Sequence, residues 1–195
     1  MKGHLFIISG PSGVGKDTIA NGLIKKLKIK KLPTFTTRKP RKGEKEGRQY
    51  YFVSKAEFKD LIKKGEILEY NYYNQNYYGT CKKDIERALK TGQNVLLSID
   101  VHGGLNIKKL YPNAYLIFLK SKLSDIKSRL EKRGENTEKE IEQRLQTAEK
   151  EMGYEKYYDF TIENPEGYPE KAIKEAEKII KNNKRGNSDK KATIV

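Results

Sequence analysis

The sequence predicts an α/β protein with a three-layer fold, in which helices cover both faces of a central parallel sheet. Three apolar runs, LFIIS at 5–9, NVLLSID at 94–100 and AYLIFL at 114–119, have the continuous hydrophobic character of strands buried on both faces. Segments with helical periodicity separate these runs, and alternating strands and helices indicate such layering. A glycine-rich turn joins the first run to the first helical segment, as in phosphate-binding loops.

The remaining elements follow in order along the chain. Helical periodicity occurs in KDTIANGLIKKLK, KKDIERALKTG, LSDIKSRLEKRG, TEKEIEQRLQTAEKEM and PEKAIKEAEKIIKN. A last short strand, DFTIEN at 159–164, fits after the long fourth helix. The stretch at 33–80 breaks the alternation, because short strand-like pieces and turns surround one helix, KAEFKDLIKKG. We therefore predict one domain with a core at 1–32 and 81–184, a β-rich subdomain inserted at 33–80, and a disordered basic tail at 185–195.

The composition restricts the function classes. The chain has 195 residues, enough for one compact domain, and its net charge of +15 suits an anionic partner such as a nucleotide, a nucleic acid or an acidic surface. Much of that charge lies in lysine runs such as KKLKIKK, which are typical of solvated helix faces. We find no basic stripe with interleaved aromatic residues, so nucleic-acid binding is not expected.

The single cysteine and the N-terminal region indicate the environment. Cys81 alone cannot form an intramolecular disulfide. The first apolar run reaches a glycine after five residues, which is too short for a signal peptide or a membrane span. We therefore expect a cytoplasmic protein with no membrane partner.

The stretch GPSGVGK at 10–16 is the clearest functional motif. With a strand before it and a helix after it, it fits the phosphate-binding pattern G-x-x-x-x-G-K-[ST] except at the last position. In such loops, backbone N–H groups and the helix dipole hold phosphates, and the lysine adds a mobile positive charge. The residues expected to contact a nucleotide here are Gly10, Pro11, Ser12, Gly13, Val14, Gly15, Lys16, Asp17 and Thr18.

Asp17 stands where the pattern has a hydroxyl that coordinates Mg²⁺. We expect Asp17 to point out of the site as a first-turn acid favoured by the helix dipole, and Thr18 to supply the hydroxyl. Adenylate kinases have a comparable G-K-x-T arrangement. The alternative is that Asp17 itself is a metal ligand. We favour Thr18, because a carboxylate beside a polyphosphate repels it unless Mg²⁺ lies between them.

A second cluster, TTRKPRKGE, places Arg38 and Arg41 around Pro40. Two guanidinium groups on a stiff turn can bind one phosphate, although charge alone would favour a merely basic loop. The segments SGPSGVGK, TTRKPRKGE, YYFVS followed by EF, LEY, YYGT, SIDVHGG, and EKRG followed by IEQRL have the order and approximate spacing of guanylate kinases. The chain therefore resembles the guanylate kinase family, of the P-loop nucleoside monophosphate kinase superfamily, over residues 4 to about 181.

The resemblance implies a GMP site in the inserted subdomain. The residues implied for the phosphate are Arg38, Arg41, Tyr50 and Tyr78, and those for guanine are Glu69, Thr34 and Thr80, with Gly79 beside them in YYGT. A carboxylate at Glu69 accepts both N1–H and N2–H₂ of guanine, whereas adenine would leave it unpaired. Strand packing of the tyrosines, an exposed Glu69 and a helix N-cap at Thr80 are the alternatives. Without the family pattern, such a structural role would be favoured for Glu69 and Thr34. Thr34 replaces an expected serine and keeps the hydroxyl.

The resemblance also implies Mg²⁺-dependent transfer of the γ-phosphate of ATP to GMP. The GMP phosphate is mostly dianionic near neutral pH and needs no general base, so catalysis consists of positioning and charge neutralisation. The residues implied are Lys16, Arg133, Arg144 and Asp100. Asp100 ends an apolar strand and could hold a water of Mg²⁺ or orient an arginine; helix capping is the weaker explanation.

A helical lid is expected at about 129–148, with Gly134 and Asn136 as a hinge. Arg129 lies close to the same face, and a surface ion pair with a neighbouring glutamate is its alternative. Asn164 in IENPEG matches an asparagine that the family places near the nucleotide, so we expect it to contact ATP.

Two other functions remain open on sequence alone. A related P-loop kinase could act on another phosphorylated acceptor, such as a ribose bisphosphate, but it would not need Glu69 or the TTRKPR and YYGT segments. Guanylate-kinase-like domains of scaffold proteins bind peptides without turnover, but they typically have degraded loops and lids. The oligomeric state, monomer or homodimer, is also open.

Overall fold

The described part of the chain has an α/β architecture with two sheets. The computed structural model describes residues 3–183, except residues 28, 30, 31, 42, 49, 74 and 135. The tail predicted at 185–195 lies outside the described residues.

Strands and helices alternate along most of the chain. The strands are β1 Leu5–Ser9, β2 Thr34–Thr36, β3 Tyr50–Phe52, β4 Ile67–Tyr73, β5 Asn76–Cys81, β6 Val95–Ser98, β7 Tyr115–Lys120 and β8 Phe160–Glu163. The helices are α1 Lys16–Leu27, α2 Lys55–Lys63, α3 Lys82–Lys90, α4 Val101–Leu110, α5 Leu123–Arg133, α6 Glu138–Met152 and α7 Pro169–Asn183, with a 3₁₀ turn at Glu155–Tyr157.

The first sheet is parallel throughout, with the order β6-β1-β7-β8. Every residue of β1 is buried. Phe6 and Ile8 pack in a cluster with residues of α1 and α7, whereas Leu5 and Ile7 pack with residues of α3 and α4. Because both faces of β1 are covered, its sequence has no polar alternation. The predicted three-layer fold is confirmed.

Candidate site residues lie at the carboxyl ends of these parallel strands. The loop at 10–15 follows β1, Asp100 comes shortly after β6, Ser121 follows β7 and Asn164 follows β8. Parallel strands bring their carboxyl ends to one edge of a sheet, which is where α/β proteins bind ligands. This edge therefore assembles residues that are far apart in sequence.

The second sheet is formed by the chain between β2 and β5, with the order β3-β2-β5-β4. β2 pairs parallel with β3 and antiparallel with β5, and β4 and β5 form a hairpin. Helix α2 covers one face, where Phe58 is fully buried. A Cβ on Gly79 would lie 2.8 Å from the Phe58 ring, so this close packing requires glycine. The opposite face is free to present polar side chains.

Helix α4 is the element that the sequence analysis missed. Its sequence, VHGGLNIKKL, contains adjacent glycines, which have low helix propensity. The structure gives a packing reason for both. A Cβ on Gly103 would lie 3.0 Å from Glu69 Oε2, and a Cβ on Gly104 would lie 2.6 Å from the hydroxyl of Tyr158. Tertiary contact thus overrides local propensity here.

We expect Gly104→Ala to lower the free energy of unfolding by about 1–3 kcal/mol, the usual cost of overpacking a core. In a Tyr158→Phe background, Gly104→Ala should lower the free energy of unfolding much less, because the oxygen that the new methyl group meets is absent. Urea unfolding of the wild type, the two single variants and the double variant measures the effect. A Gly104→Ala protein stabilised by about 1 kcal/mol, as helix propensity alone predicts, would contradict the packing argument.

Candidate active site

The loop at 10–15 has the backbone geometry of a phosphate cradle. Gly10 has φ of 143° and Gly15 has φ of 93°, values that side-chain-bearing residues rarely adopt. A Cβ on Gly10 would lie 2.2 Å from the carbonyl oxygen of Leu119 in β7, and a Cβ on Gly15 would lie 2.8 Å from Asn164 Nδ2. The loop can therefore sit tightly between strands only with glycine at these positions, and it leads directly into the N-terminus of α1.

Lys16 folds back over this loop. Its Nζ donates to the carbonyl oxygens of Gly10, at 2.8 Å, and Pro11, at 3.0 Å. Burial lowers the pKa of Lys16. The charges that raise this pKa are, in decreasing order, those of Glu151, Asp17 and Asp100, and the charge of Arg144 lowers it. Among the described residues, the Lys16 ammonium group donates its hydrogen bonds to these carbonyls, so it can move to a phosphate that offers it a full negative charge.

Asp17 lies in the first turn of α1, as predicted, and is exposed. Its Oδ1 accepts a hydrogen bond of 2.8 Å from the hydroxyl of Ser98, the last residue of β6. This contact holds the Asp17 carboxylate at the sheet edge from which the Asp100 segment begins. Thr18 is exposed in the same turn. The outward orientation expected for Asp17 therefore stays a prediction.

Helices α5 and α6 pack together beside the loop through Ile126, Leu130, Ile141 and Ala148. Arg144 of α6 reaches the loop, because its Nε and Nη2 lie 3.3 and 3.2 Å from Ser12 Oγ. Its Nη1 donates to Asn136 Oδ1 at 3.0 Å. Arg133 is exposed at the end of α5. The structure thus brings Arg144 to the loop and leaves Arg133 on the surface.

Arg129 is directed inward from α5. Its Nη1 donates to the carbonyl of Val14 at 3.1 Å, and its Nη2 donates to the carbonyl of Asn164. The alternative of an ion pair also holds, with Nε 3.0 Å from Glu166 Oε2, but this partner is distant in sequence. Arg129 therefore ties the back of the phosphate loop to the segment after β8.

Asn164 is buried against the loop. Its Nδ2 donates to the carbonyl of Val14 at 2.7 Å. Its Oδ1 is buried and has no hydrogen-bond partner among the residues that the structure describes. A buried acceptor without a partner can accept a bond from a ligand, so the residue fits a nucleotide contact as well as a bracing one.

The polar face of the second sheet collects the predicted GMP residues. Thr34 pairs with Thr80 on one side and with Tyr50 on the other, while Thr36 pairs with Tyr78. Residues paired in register present their side chains on the same face, as do residues two apart. The rings of Tyr50 and Tyr78 are accordingly in edge contact, with centroids 6.2 Å apart. The side chains of Thr34 and Thr80, whose hydroxyls are predicted to bind guanine, therefore share one surface with both tyrosines.

Glu69 completes that surface from β4. Its Oε1 accepts a hydrogen bond of 2.8 Å from the Thr80 hydroxyl. Burial raises the pKa of Glu69 to about 7; the Thr80 hydrogen bond opposes the shift and the charge of Asp100 adds to it. Asp100 Oδ1 in turn accepts the backbone N–H of Gly103 at 2.8 Å and caps α4. The helix cap, considered the weaker explanation for Asp100, is therefore present.

The predicted phosphate residues of GMP lie around the turn after β2. The Arg38 guanidinium lies over the Tyr50 ring, 5.3 Å from its centroid, and close to Tyr78. Its Nη2 is also held by Glu44, at 2.8 and 3.0 Å from the two carboxylate oxygens. The backbone N–H of Arg41 donates to Glu44 at 2.7 Å, and its side chain is exposed. Arg38 is thus oriented, whereas the Arg41 side chain lies at the surface.

The structure changes the interpretation of Gly79 and adds two residues. Gly79 faces Phe58, on the opposite side of the second sheet from Tyr78, so its side-chain position does not line the polar face. Sequence analysis missed Glu44, although an acid inside the basic run RKPRKGEK was a visible signal. It also missed Glu151 of α6, which accepts the backbone N–H of Ser12 at 2.8 Å. No local pattern identifies Glu151.

A divalent metal fits the carboxylates near the loop. Among the described residues, no group of three or more His, Cys, Asp and Glu side chains could hold a metal ion by itself. Mg²⁺ in kinases is usually held by one or two carboxylates together with substrate phosphates and waters. Asp17 and Asp100 both lie close enough to Lys16 to raise its pKa, so carboxylates that could support such an ion are present beside the loop.

Within the described residues, none of the helices has the length and apolar character needed to cross a membrane.

The fold and the glycine-rich loop define a P-loop phosphotransferase. The chain belongs to the guanylate kinase family, because the family model described as guanylate kinase matches residues 2–183. This confirms the family resemblance.

Individual relatives agree over nearly the whole chain. The guanylate kinase of Clostridioides difficile is 43% identical, with 100% of this chain and 95% of that protein covered. The guanylate kinase of Fusobacterium nucleatum is 42% identical, with 92% and 97% covered. The crystal structure of guanylate kinase from Anaplasma phagocytophilum has a TM-score of 0.73 and 29% identity, covering 95% of this chain and 88% of that one.

GMP binding at about pH 6 should release a proton from Glu69. The free carboxyl group is mostly protonated below its pKa of about 7, and the N–H donors of guanine require the carboxylate. GMP affinity should therefore rise with pH up to about 7 and then level off. Calorimetry in two buffers of different ionisation enthalpy measures the release. Glu69→Gln retains the proton change of the GMP phosphate, so equal release from both proteins would refute the assignment.

Proposed function

We propose that the protein transfers the γ-phosphate of ATP to GMP, giving ADP and GDP. The observation that carries this proposal is the Thr80–Glu69 hydrogen bond on the polar face of the second sheet, beside the start of α4. The two oxygens of the half-buried Glu69 carboxylate match the two adjacent N–H donors of guanine. Because the substrates are free nucleotides, we also propose that the reaction occurs in the cytoplasm.

The proposed reaction uses two phosphate subsites, one on the loop at 10–15 and the other on the second sheet. ATP would place its phosphates on the loop at 10–15, with Lys16 moving from the Gly10 carbonyl to the outer phosphates. GMP would place its phosphate between Arg38, Tyr50 and Tyr78, where it competes with Glu44 for the Arg38 guanidinium. This arrangement favours attack of a GMP phosphate oxygen on the γ-phosphorus of ATP.

The transfer needs positioning and positive charge rather than a general base. The attacking phosphate oxygen is already anionic near neutral pH. In our proposal Lys16 and Arg144 neutralise the charge on the transferred group, and closure of the lid brings Arg133 from the surface and excludes water. Excluding water prevents hydrolysis of ATP during the transfer.

Mg²⁺ would be held by the ATP phosphates, by Thr18 and by Asp100 through a water. When bound, it neutralises phosphate charge in the reacting complex. The Asp17 carboxylate, fixed by Ser98, lies on the same edge and would contribute to the negative field around the ion. Asp100 would thus combine capping of α4 with support of the metal.

The acceptor should be GMP rather than AMP, because adenine presents an acceptor nitrogen to the Glu69 carboxylate. In a coupled ADP-release assay with ATP and Mg²⁺, we expect kcat/KM for GMP to exceed that for AMP by at least about a hundredfold. Glu69→Gln should reduce this ratio and leave the KM for ATP nearly unchanged.

Two further arms of that assay separate the competing functions. Activity with a ribose bisphosphate but not GMP would favour the related P-loop kinases. A folded protein without turnover on GMP, AMP, UMP or the bisphosphate would favour a binding module. Equal kcat/KM for AMP and GMP would refute the guanine pocket.

Removing either lid arginine should lower kcat. We expect Arg144→Ala and Arg133→Ala to reduce kcat by roughly a thousandfold, as loss of a catalytic arginine does in other phosphoryl-transfer enzymes, with smaller changes in KM for GMP. Lys139→Ala is the control, because it removes an exposed positive charge from the same α6 helix. Steady-state kinetics with both substrates varied provide the measurement. Unchanged kcat in both arginine variants would refute the catalytic lid.

A further inference from the structure

Helix α6 contacts one residue of the phosphate loop through two side chains. Arg144 and Glu151 are seven residues apart, which is two helical turns, so they project from the same face. Arg144 Nε and Nη2 lie 3.3 and 3.2 Å from Ser12 Oγ, and Glu151 Oε2 accepts the Ser12 backbone N–H at 2.8 Å. Ser12 is therefore held at both its side chain and its backbone by one helix.

The carboxylate of Glu151 has an electrostatic cost at this place. It lies close enough to Lys16 to be the strongest charge acting on that ammonium group. A negative charge beside a loop that binds a polyphosphate repels the ligand, and the repulsion is strong where water is partly excluded. A neutral side chain at position 151 would avoid this repulsion. The presence of a glutamate despite this cost indicates that its hydrogen bond to Ser12 has a structural use.

The Glu151 contact also completes the attachment of α6. At its N-terminal end the helix is capped by Thr137, and its middle is held by Arg144. The contact of Glu151 lies in the last turns before Met152, where the chain turns toward β8. The angle of α6 against the loop, and with it the position of the Arg144 guanidinium, is therefore set at two points.

We propose that Glu151 is a positioning residue for phosphoryl transfer, whose carboxylate holds the Ser12 N–H and so fixes the face of α6 that carries Arg144 against the phosphate loop. The inference deepens the proposed function and rests on it for the acceptor reaction. Glu151 acts through Arg144 and does not touch the transferred group. A displacement of a catalytic group by about 1 Å can cost a hundredfold in rate.

Variants of Glu151 separate the effect of side-chain length from the effect of charge. Glu151→Asp keeps the charge but shortens the side chain by one methylene, so the Ser12 bond is lost and kcat should fall about tenfold or more. Glu151→Gln keeps the length and an acceptor oxygen, so kcat should stay within about threefold of the wild type. Glu151→Ala should lower kcat by about a hundredfold. In all three, KM for GMP should change little, because that subsite lies on the second sheet.

The matched control is Glu149→Gln, which removes a negative charge from an exposed position of the same helix. It should behave as the wild type. Thermal unfolding of each variant measures the folded fraction, to which kcat is normalised. If Glu151→Ala does not fold, the comparison of Glu151→Asp with Glu151→Gln still decides.

A double-mutant cycle tests the path through Arg144. If Glu151 acts by positioning Arg144, Arg144→Ala combined with Glu151→Asp should lose no more kcat than Arg144→Ala alone, within about threefold. Multiplicative losses, or a Glu151→Asp enzyme as fast as the wild type, would overturn the proposal. Failure of the wild type and Glu149→Gln to phosphorylate GMP would instead refute the proposed function. In that case calorimetry measures the ATP affinity of the wild type, Arg144→Ala, Glu151→Asp and the double variant. The same non-additivity is expected in these affinities.

Discussion

The close approach of the phosphate loop to the sheet is the constraint on which the rest of the site depends. Gly10 lies against the carbonyl of Leu119, at a distance that no side chain could occupy. The loop can therefore lie close against the carboxyl end of the neighbouring strand β7. Its backbone N–H groups and the N-terminus of α1 face the same space. Arg129 and Asn164 hold the loop from behind through the Val14 carbonyl, so its shape is set before any ligand arrives.

Asp100 links the two halves of the site. It caps α4, and the N-terminus of that helix is the surface against which Glu69 packs. Its charge acts on Glu69 in the second sheet and on Lys16 in the loop. Asp100 therefore interacts electrostatically with Glu69 and with Lys16, and in our proposal it couples the acceptor and donor subsites.

Much of the architecture was predictable, because it depends on local patterns. The three apolar runs and the short segment DFTIEN predicted the four strands of the parallel sheet, and helical periodicity predicted α1 to α3 and α5 to α7 nearly to the residue. Helix α4 was missed, because its glycines serve contacts with Glu69 and Tyr158 that come from other parts of the chain. Glu151 was missed for the same reason, since its partner Ser12 is far away in sequence.

The sequence by itself determined the fold class, the phosphate loop and the family, because hydrophobic period, glycine spacing and motif order are written along the chain. The tertiary structure decided which side chains meet. In the folded chain, Asp17 accepts a hydrogen bond from Ser98, Arg129 and Arg144 contact the phosphate loop, and Arg133 is exposed. It also placed Gly79 under Phe58. These outcomes depend on strand register and helix packing between distant segments, which no local pattern of residues specifies.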